Sequence, residues 1–130
     1  MTMTSALSVR SEEGAVDARV AAACLFHGFG DPHRIAILQH LALGEHRVVD
    51  LTAHLGLAQS TVSKHLACLR DCGLVTSRPE GRASVYALTH AAGLMDLWAA
   101  AERLLALTGE RVVLCETYGA DTLPAGDGAR

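Results

Sequence analysis

A chain of 130 residues is long enough for one domain with a modest hydrophobic core. Half of its residues are apolar and only 4% are aromatic, so we expect a mainly helical fold with a core of Leu, Val and Ala. It has no apolar run of the roughly 18–20 residues that a membrane span requires. Its first residues do not follow a signal-peptide pattern, so a cytoplasmic protein without a membrane partner is expected.

Two helices are predicted in the first third of the chain. Residues 1–14 are polar and lack a clear period, which indicates a flexible arm. A first helix is expected over residues 16–29. A second helix follows Asp31, which can cap it, and Pro32, which suits the first helical position. Gly44 ends this second helix.

The next segment, VVDLTAHLGLAQSTVSKHLACLRDCGL, is typical of a helix-turn-helix. A short helix is followed by Gly56, which allows a tight turn, and then by a helix over Gln59–Asp71. Val62, Leu66 and Leu69 have the spacing of one buried stripe on this second helix. Its other face carries small and polar residues and one lysine, a composition that suits the DNA major groove: Ser60, Ser63, Lys64 and Ala67.

The segment LVTSRPEGRASVYAL predicts a β-hairpin, with strands over residues 75–78 and Ala83–Leu88 and a turn over residues 79–82. A helix-turn-helix followed by a hairpin is a winged helix. Arg82, beside the turn glycine, either reaches a DNA phosphate or is an ordinary solvated residue. The segment from Arg47 to Arg82 has five basic and three acidic residues in a chain of net charge −3; this local excess fits DNA binding but also arises by chance.

A last helix is predicted over Ala91–Leu107, with apolar residues at alternating spacings of three and four. A small domain has little room for two terminal helices, so we expect them to pair between two chains as a homodimer. The fold class is therefore mainly α with a small β-hairpin, a winged helix-turn-helix that dimerises through its terminal helices. The domain is expected over residues 15–108, followed by a tail over residues 109–130 that carries Cys115.

Cys68 and Cys72 are four residues apart in the predicted recognition helix. Residues at this spacing share one side of a helix, with Cβ atoms about 5–6 Å apart, so their thiolates can hold one metal ion. Both also lie beside the apolar stripe, where cysteine is often inert packing. Cys115 is either a further ligand or a docked apolar residue of the tail. Cys24, among alanines of the first helix, is interpreted as a core residue or a dimer contact.

The chain contains three segments in a distinctive order and spacing: FHGFGDPHRIAILQHL, AQSTVSKHLACLRDCGLV and EGRASVYAL. Together they resemble the ArsR/SmtB family of metal-sensing repressors over residues 16–107. The resemblance implies a homodimeric winged helix that binds a two-fold symmetric DNA operator and leaves it when a metal or another inducer binds. It implies that the residues facing DNA are Gln59, Ser60, Thr61, Ser63, Lys64 and His65 on the recognition helix and Arg82 in the wing.

Metal sites occur at different places in that family. One type uses histidine and acidic residues along the last helix, where this chain has only His90 with Asp96 and Glu102. A second uses a cysteine pair in the first helix of the helix-turn-helix, and residues 47–51 contain no cysteine. A third, found in cadmium and lead sensors, joins two recognition-helix cysteines to a tail cysteine of the partner subunit. The residues that match the third type are Cys68, Cys72 and Cys115.

The expected inducer is therefore Cd(II) or Pb(II), with Zn(II) also suited, because thiolates are soft ligands. Two alternatives on the same fold remain open, a repressor that responds to arsenite and one that responds to thiol oxidation. An enzyme is not expected, because the chain has neither a C-x-x-C pair nor the spacing of a nucleophile with its base.

Overall fold

The computed structural model describes residues 17–114, so the predicted arm over residues 1–14 and Cys115 both lie outside the described residues. The described part of the chain contains five helices and three strands. In chain order they are α1 (Ala18–Gly28), α2 (Pro32–Ala42), β1 (His46–Arg47), α3 (Val48–Leu55), α4 (Gln59–Asp71), β2 (Val75–Glu80), β3 (Ala83–Leu88) and α5 (Ala91–Leu107).

Side-chain caps explain where the first two helices begin. The Asp17 carboxylate accepts a hydrogen bond from the amide of Arg19 at the start of α1. The Asp31 carboxylate accepts from the amides of His33 and Arg34 at the start of α2, whose first residue is proline. Each cap satisfies helix N–H groups that have no partner within the helix. The predicted start of α2 is confirmed.

The recognition helix α4 is held in the core by one face. Val62, Leu66 and Leu69 are each 0% exposed, which confirms the predicted stripe. The turn before α4 contains Gly56 at φ 69°, a left-handed conformation that glycine adopts without a steric penalty. The other fully buried side chains belong to the two preceding helices: Ile37, Leu38 and Leu51.

The sheet differs from the predicted hairpin in two respects. It has three antiparallel strands in the order β1-β3-β2, and β1 pairs His46 with Tyr86. A two-residue strand is too short to show a period of two, so sequence patterning could not detect it. The strand β2 also continues through Pro79, which pairs with Ser84, so the turn is Gly81–Arg82 and not residues 79–82. Proline is tolerated there because β2 is an edge strand.

The terminal helices each leave apolar side chains in solvent. Helix α5 buries Leu94 and Trp98 but leaves Leu104 exposed by 63%, and on α1 Phe26 is exposed by 58%. Beyond α5, Leu114 packs partly buried against the core, and its amide donates to the Glu102 carboxylate. Pairing of two chains through these faces stays a prediction. Within residues 17–114, every helix is too short or too polar to cross a membrane.

The Asp31 cap is expected to contribute to stability. Burial raises the pKa of the Asp31 carboxyl, but the amide donors of His33 and Arg34, together with the charges of His65 and Arg34, hold that pKa below its usual value. We expect Asp31→Ala to lower the free energy of unfolding at pH 7 by about 1 kcal/mol, and Asp31→Asn, which keeps an acceptor oxygen, to lose much less. Urea unfolding measures both, and equal losses in the two variants would contradict the capping role.

Candidate DNA-binding surface and thiol cluster

The polar face of α4 is open to solvent. Four of the residues predicted to face DNA are exposed: Gln59, Ser60, Ser63 and Lys64. Thr61 is half-buried on the same helix, and Arg82 is exposed at the tip of the wing. This face lies opposite the Val62–Leu66–Leu69 stripe, so anchoring the stripe in the core presents the polar side chains outward.

His65 is also among the residues predicted to face DNA, but the structure turns it inward. Its side chain is 15% exposed, and Nε2 lies 4.0 Å from Oδ1 of Asp31. The Nδ1 atom of His65 lies 3.4 Å from one guanidinium nitrogen of Arg34. The other two guanidinium nitrogens of Arg34 donate to the backbone carbonyls of His27 and Gly28. Burial lowers the pKa of His65 more than the Asp31 carboxylate raises it. His65 therefore connects α4 to the α1–α2 junction.

Ion pairing leaves free positive charge near the polar face of α4 and in the wing. Arg47 is paired with Asp50 at 3.2 Å, and Arg78 with Glu45 at 2.7 Å. Within the described residues, neither Lys64 nor Arg82 forms a salt bridge. Since phosphate groups attract unpaired cations at a surface, these two positions suit a nucleic-acid backbone.

A cluster of thiols lies where the end of α4 meets α1. Cys68 and Cys72 are half-buried. Cys68 lies in α4, and Cys72 is the C-cap residue directly after Asp71, at which α4 ends. The thiol of Cys24 lies 3.2 Å from the Sγ of Cys72, and the Cys72 thiol donates to the carbonyl oxygen of Cys24 at 3.0 Å. The interpretation of Cys24 as a core residue is wrong for the single chain, because its side chain is exposed on α1.

The thiol of Cys72 is strongly held in its protonated form. Burial raises its pKa, the hydrogen bond with Cys24 raises it further, and the nearby Cys68 thiol adds to the effect, giving a pKa of about 12. A metal cation reverses this balance, because a coordinating thiol is deprotonated. Cys72 is therefore neutral in the metal-free chain, and its sulfur is a soft donor once a cation displaces the proton.

Comparison with known proteins agrees with this architecture. The model of the bacterial regulatory protein arsR family matches residues 31–77. The transcriptional regulator NmtR of Mycobacterium tuberculosis is 40% identical over 85 residues, which are 62% of this chain and 71% of that protein. The chain belongs to the arsR family.

The chain is also similar to other known proteins. The regulator CmtR of Mycobacterium tuberculosis is 50% identical over 68 residues, 52% of this chain, so the chain spans about 58% of the length of that relative. The arsenical resistance operon repressor of Staphylococcus xylosus is 42% identical over 60 residues, 46% of this chain and 58% of the repressor. The solved structure of HlyU from Vibrio cholerae has a TM-score of 0.56 and 32% identity, covering 72% of this chain and 97% of HlyU.

This arsR-family chain gathers histidines that look scattered in sequence. The rings of His40, His46 and His54 lie with centroids 4.9 to 6.0 Å apart. His40 is only 5% exposed, and its Nδ1 has no hydrogen-bond partner among residues 17–114. No sequence spacing signals this cluster, because its members come from α2, β1 and α3.

A second group places the ligand atoms of Asp31, His33 and His65 within 4.8 Å of one another. Asp31 already serves as the cap of α2, and the guanidinium of Arg34 lies beside His65. A fixed positive charge at this distance repels a cation, so we assign these residues a structural role.

The His40 environment predicts an acid-sensitive fold. Burial, followed by repulsion from His54 and His46, lowers the pKa of His40 to about 4. A histidine whose pKa falls on folding contributes stability above its unfolded pKa of about 6.5, and that stability is lost as pH falls towards the folded value. We expect the free energy of unfolding to fall by up to about 2 kcal/mol between pH 6.5 and 5.

Denaturant titrations across this pH range measure the effect. His40→Gln removes the titrating group and should flatten the slope, whereas His27→Gln, an exposed histidine of α1, should leave it unchanged. A wild-type protein with constant stability over this interval would contradict the assignment.

Proposed function

We propose that the chain is a transcriptional repressor that releases operator DNA when a soft metal ion binds to its cysteine thiolates. The observation that supports this most directly is the position of Cys68 and Cys72. Cys68 lies on α4 and Cys72 caps its C-terminal end, and the same helix exposes Ser60 and Lys64. A ligand on these thiols therefore acts on the element that would enter the DNA.

The DNA half of the proposal is supported by exposure and charge. In a helix-turn-helix, the first turns of the recognition helix contact base edges, and flanking cations contact phosphates. Here the exposed Gln59, Ser60 and Ser63 supply hydrogen-bonding groups, and Lys64 and Arg82 supply charge. His65 is largely buried, and we infer that it helps to orient α4 through its contacts with Asp31 and Arg34.

The proposed assembly is a homodimer. Two recognition helices related by a two-fold axis read half-sites about one DNA turn, ~34 Å, apart. The apolar side chains that α1 and α5 leave exposed support pairing through those helices: Val20, Phe26, Leu104 and Leu107. The proposed partners are thus a second copy of the chain and a two-fold symmetric operator.

The thiols fit the class of ion expected from the sequence. Thiolate ligands favour Cd(II), Pb(II) and Zn(II) over ions that prefer oxygen ligands. Cys68 and Cys72 would hold the ion, with Cys115 from the tail completing the set. The tail returns to the protein surface at Leu114, which is half-buried and donates its amide to Glu102. This docking supports a tail that approaches the domain.

Release of DNA requires that the ion bind the DNA-free form more tightly than the DNA-bound form. Couplings between two ligand sites typically amount to about 1–3 kcal/mol, which changes affinity by roughly 5 to 150-fold. A tether from the end of α4 to another segment restricts the angle of this helix. Small changes of that angle separate the polar side chains from the bases they contact.

Two other inducers, arsenite and a thiol oxidant, are alternatives to a metal ion on the same fold. Three thiols also suit arsenite, and an arsenical repressor is among the relatives. The 3.2 Å contact between the Cys24 and Cys72 sulfurs favours oxidation to a disulfide, but thiolate attack is slow for a Cys72 thiol with a pKa of about 12. Release of operator by peroxide but not by Cd(II) would establish the redox form of the switch.

We expect Lys64→Ala to weaken DNA binding about equally for all sequences, because a lysine on a phosphate carries no base information. The slope of log affinity against log salt should fall by about 1. Fluorescence anisotropy with specific and random duplexes at several salt concentrations measures this. Arg19→Ala, whose side chain on α1 is 77% exposed, makes the same charge change as a control. An unchanged salt slope for Lys64→Ala would contradict its phosphate contact.

We expect Cys68→Ser and Cys72→Ser to bind operator but to remain bound when Cd(II) or Pb(II) is added, because each variant lacks one of the adjacent thiolates. Anisotropy of labelled operator with and without metal measures the release. Ala36→Ser, a half-buried residue of α2 outside both proposed sites, should respond to metal as the wild type does. Normal metal-induced release from both cysteine variants would refute the proposed site.

A further inference from the structure

Cys24 is not part of the ligand set proposed from Cys68, Cys72 and Cys115, yet it is close to that set in the folded chain. Its sulfur lies 3.2 Å from the sulfur of Cys72 although 48 residues separate them in sequence. The Cys72 thiol is also hydrogen-bonded to the backbone carbonyl of Cys24, at 3.0 Å. Cys68 lies on α4 four residues before Cys72, so the two side chains are on the same side of the helix.

The separation of the two sulfurs is near that of ligands to a common ion. Sulfurs bonded at about 2.3 Å to a tetrahedral ion lie roughly 3.8 Å from each other. The observed 3.2 Å therefore requires the sulfurs to move apart by only about half an ångström. Cys24 is exposed, so its side chain has room for this adjustment.

The approach of α1 to the end of α4 is part of the packing. Gly28, the last residue of α1, is buried, and a Cβ placed on it would lie 3.1 Å from a methyl carbon of Leu74 and 3.6 Å from the Cys72 sulfur. Arg34 also holds this end of α1 by donating to the carbonyl of His27 at 2.7 Å. The contact between Cys24 and Cys72 thus depends on an ordered junction of helices.

We propose that Cys24 is a ligand of the same thiophilic divalent cation as Cys68 and Cys72, so that one chain supplies three thiolates. This inference rests on the proposed function and adds a residue to its site. Each sulfur exchanges its proton, which leaves to solvent, for a bond to the ion. The ion would connect the recognition helix to α1, which carries part of the predicted dimer surface.

The sulfur count is measured by titrating the full-length reduced chain with Cd(II) and recording the thiolate-to-cadmium absorbance. Cys24→Ser should lose the absorbance of one thiolate at saturation and at least about tenfold in affinity. Cys115→Ser should keep three thiolates, and the double variant two. Ala23→Ser, an exposed neighbour on α1, should match the wild type. Unchanged absorbance and affinity in Cys24→Ser would refute the assignment.

A second measurement needs no substitution. Alkylation of the wild-type chain, with each cysteine followed by mass spectrometry, should show that one equivalent of Cd(II) protects Cys24 together with Cys68 and Cys72. If Cd(II) releases operator while Cys24 is alkylated at its metal-free rate, the Cys24 ligand is refuted and the proposed function stands. If Cd(II) protects Cys24 but the operator stays bound, the ligand stands and the proposed function is refuted.

Discussion

The recognition helix α4 is anchored by three side chains, Val62, Leu66 and Leu69, none of which is exposed to solvent. A helix that buries one stripe has its remaining faces oriented by the same contacts, since side chains repeat every 3.6 residues. One of these faces carries Ser60 and Lys64 into solvent, and the flank between the stripe and that face carries the cysteines. The arrangement of the functional groups therefore follows from the burial of one stripe.

The end of α4 is held from a second direction by the junction of α1 and α2. Arg34 bonds to the carbonyls at the end of α1 and contacts His65, while Gly28 allows α1 to approach the C-terminal end of α4. The thiols lie at this junction, where Cys24 meets Cys72. A ligand bound there would connect α1 to the end of α4. Because a close-packed core resists gradual deformation, a small ion at this junction can change the angle of α4 as a whole.

Local patterns predicted most of the secondary structure of this arsR-family chain. The bounds of α4 and α5 agree with the sequence prediction, because long amphipathic periods with clear ends are strong signals. The start of α2 agrees because the Asp31-Pro32 pair is a well-defined cap. The strand β1 was missed, because two residues form a strand only when β3 lies beside them. The extension of β2 through Pro79 depends likewise on its position at the sheet edge.

Some features of the candidate site also follow from the sequence, whereas others depend on how the helices pack. The pairing of Cys68 with Cys72 on one side of a helix follows from sequence alone, because hydrogen bonds four residues apart set the helical repeat. The exposure of Lys64 follows from the same period. The contact of Cys24 with Cys72, the inward turn of His65 and the grouping of His40 with His46 and His54 were decided only by the tertiary structure. These residues come from separate elements, and their distances depend on how the helices pack, for which one-dimensional spacing carries no signal.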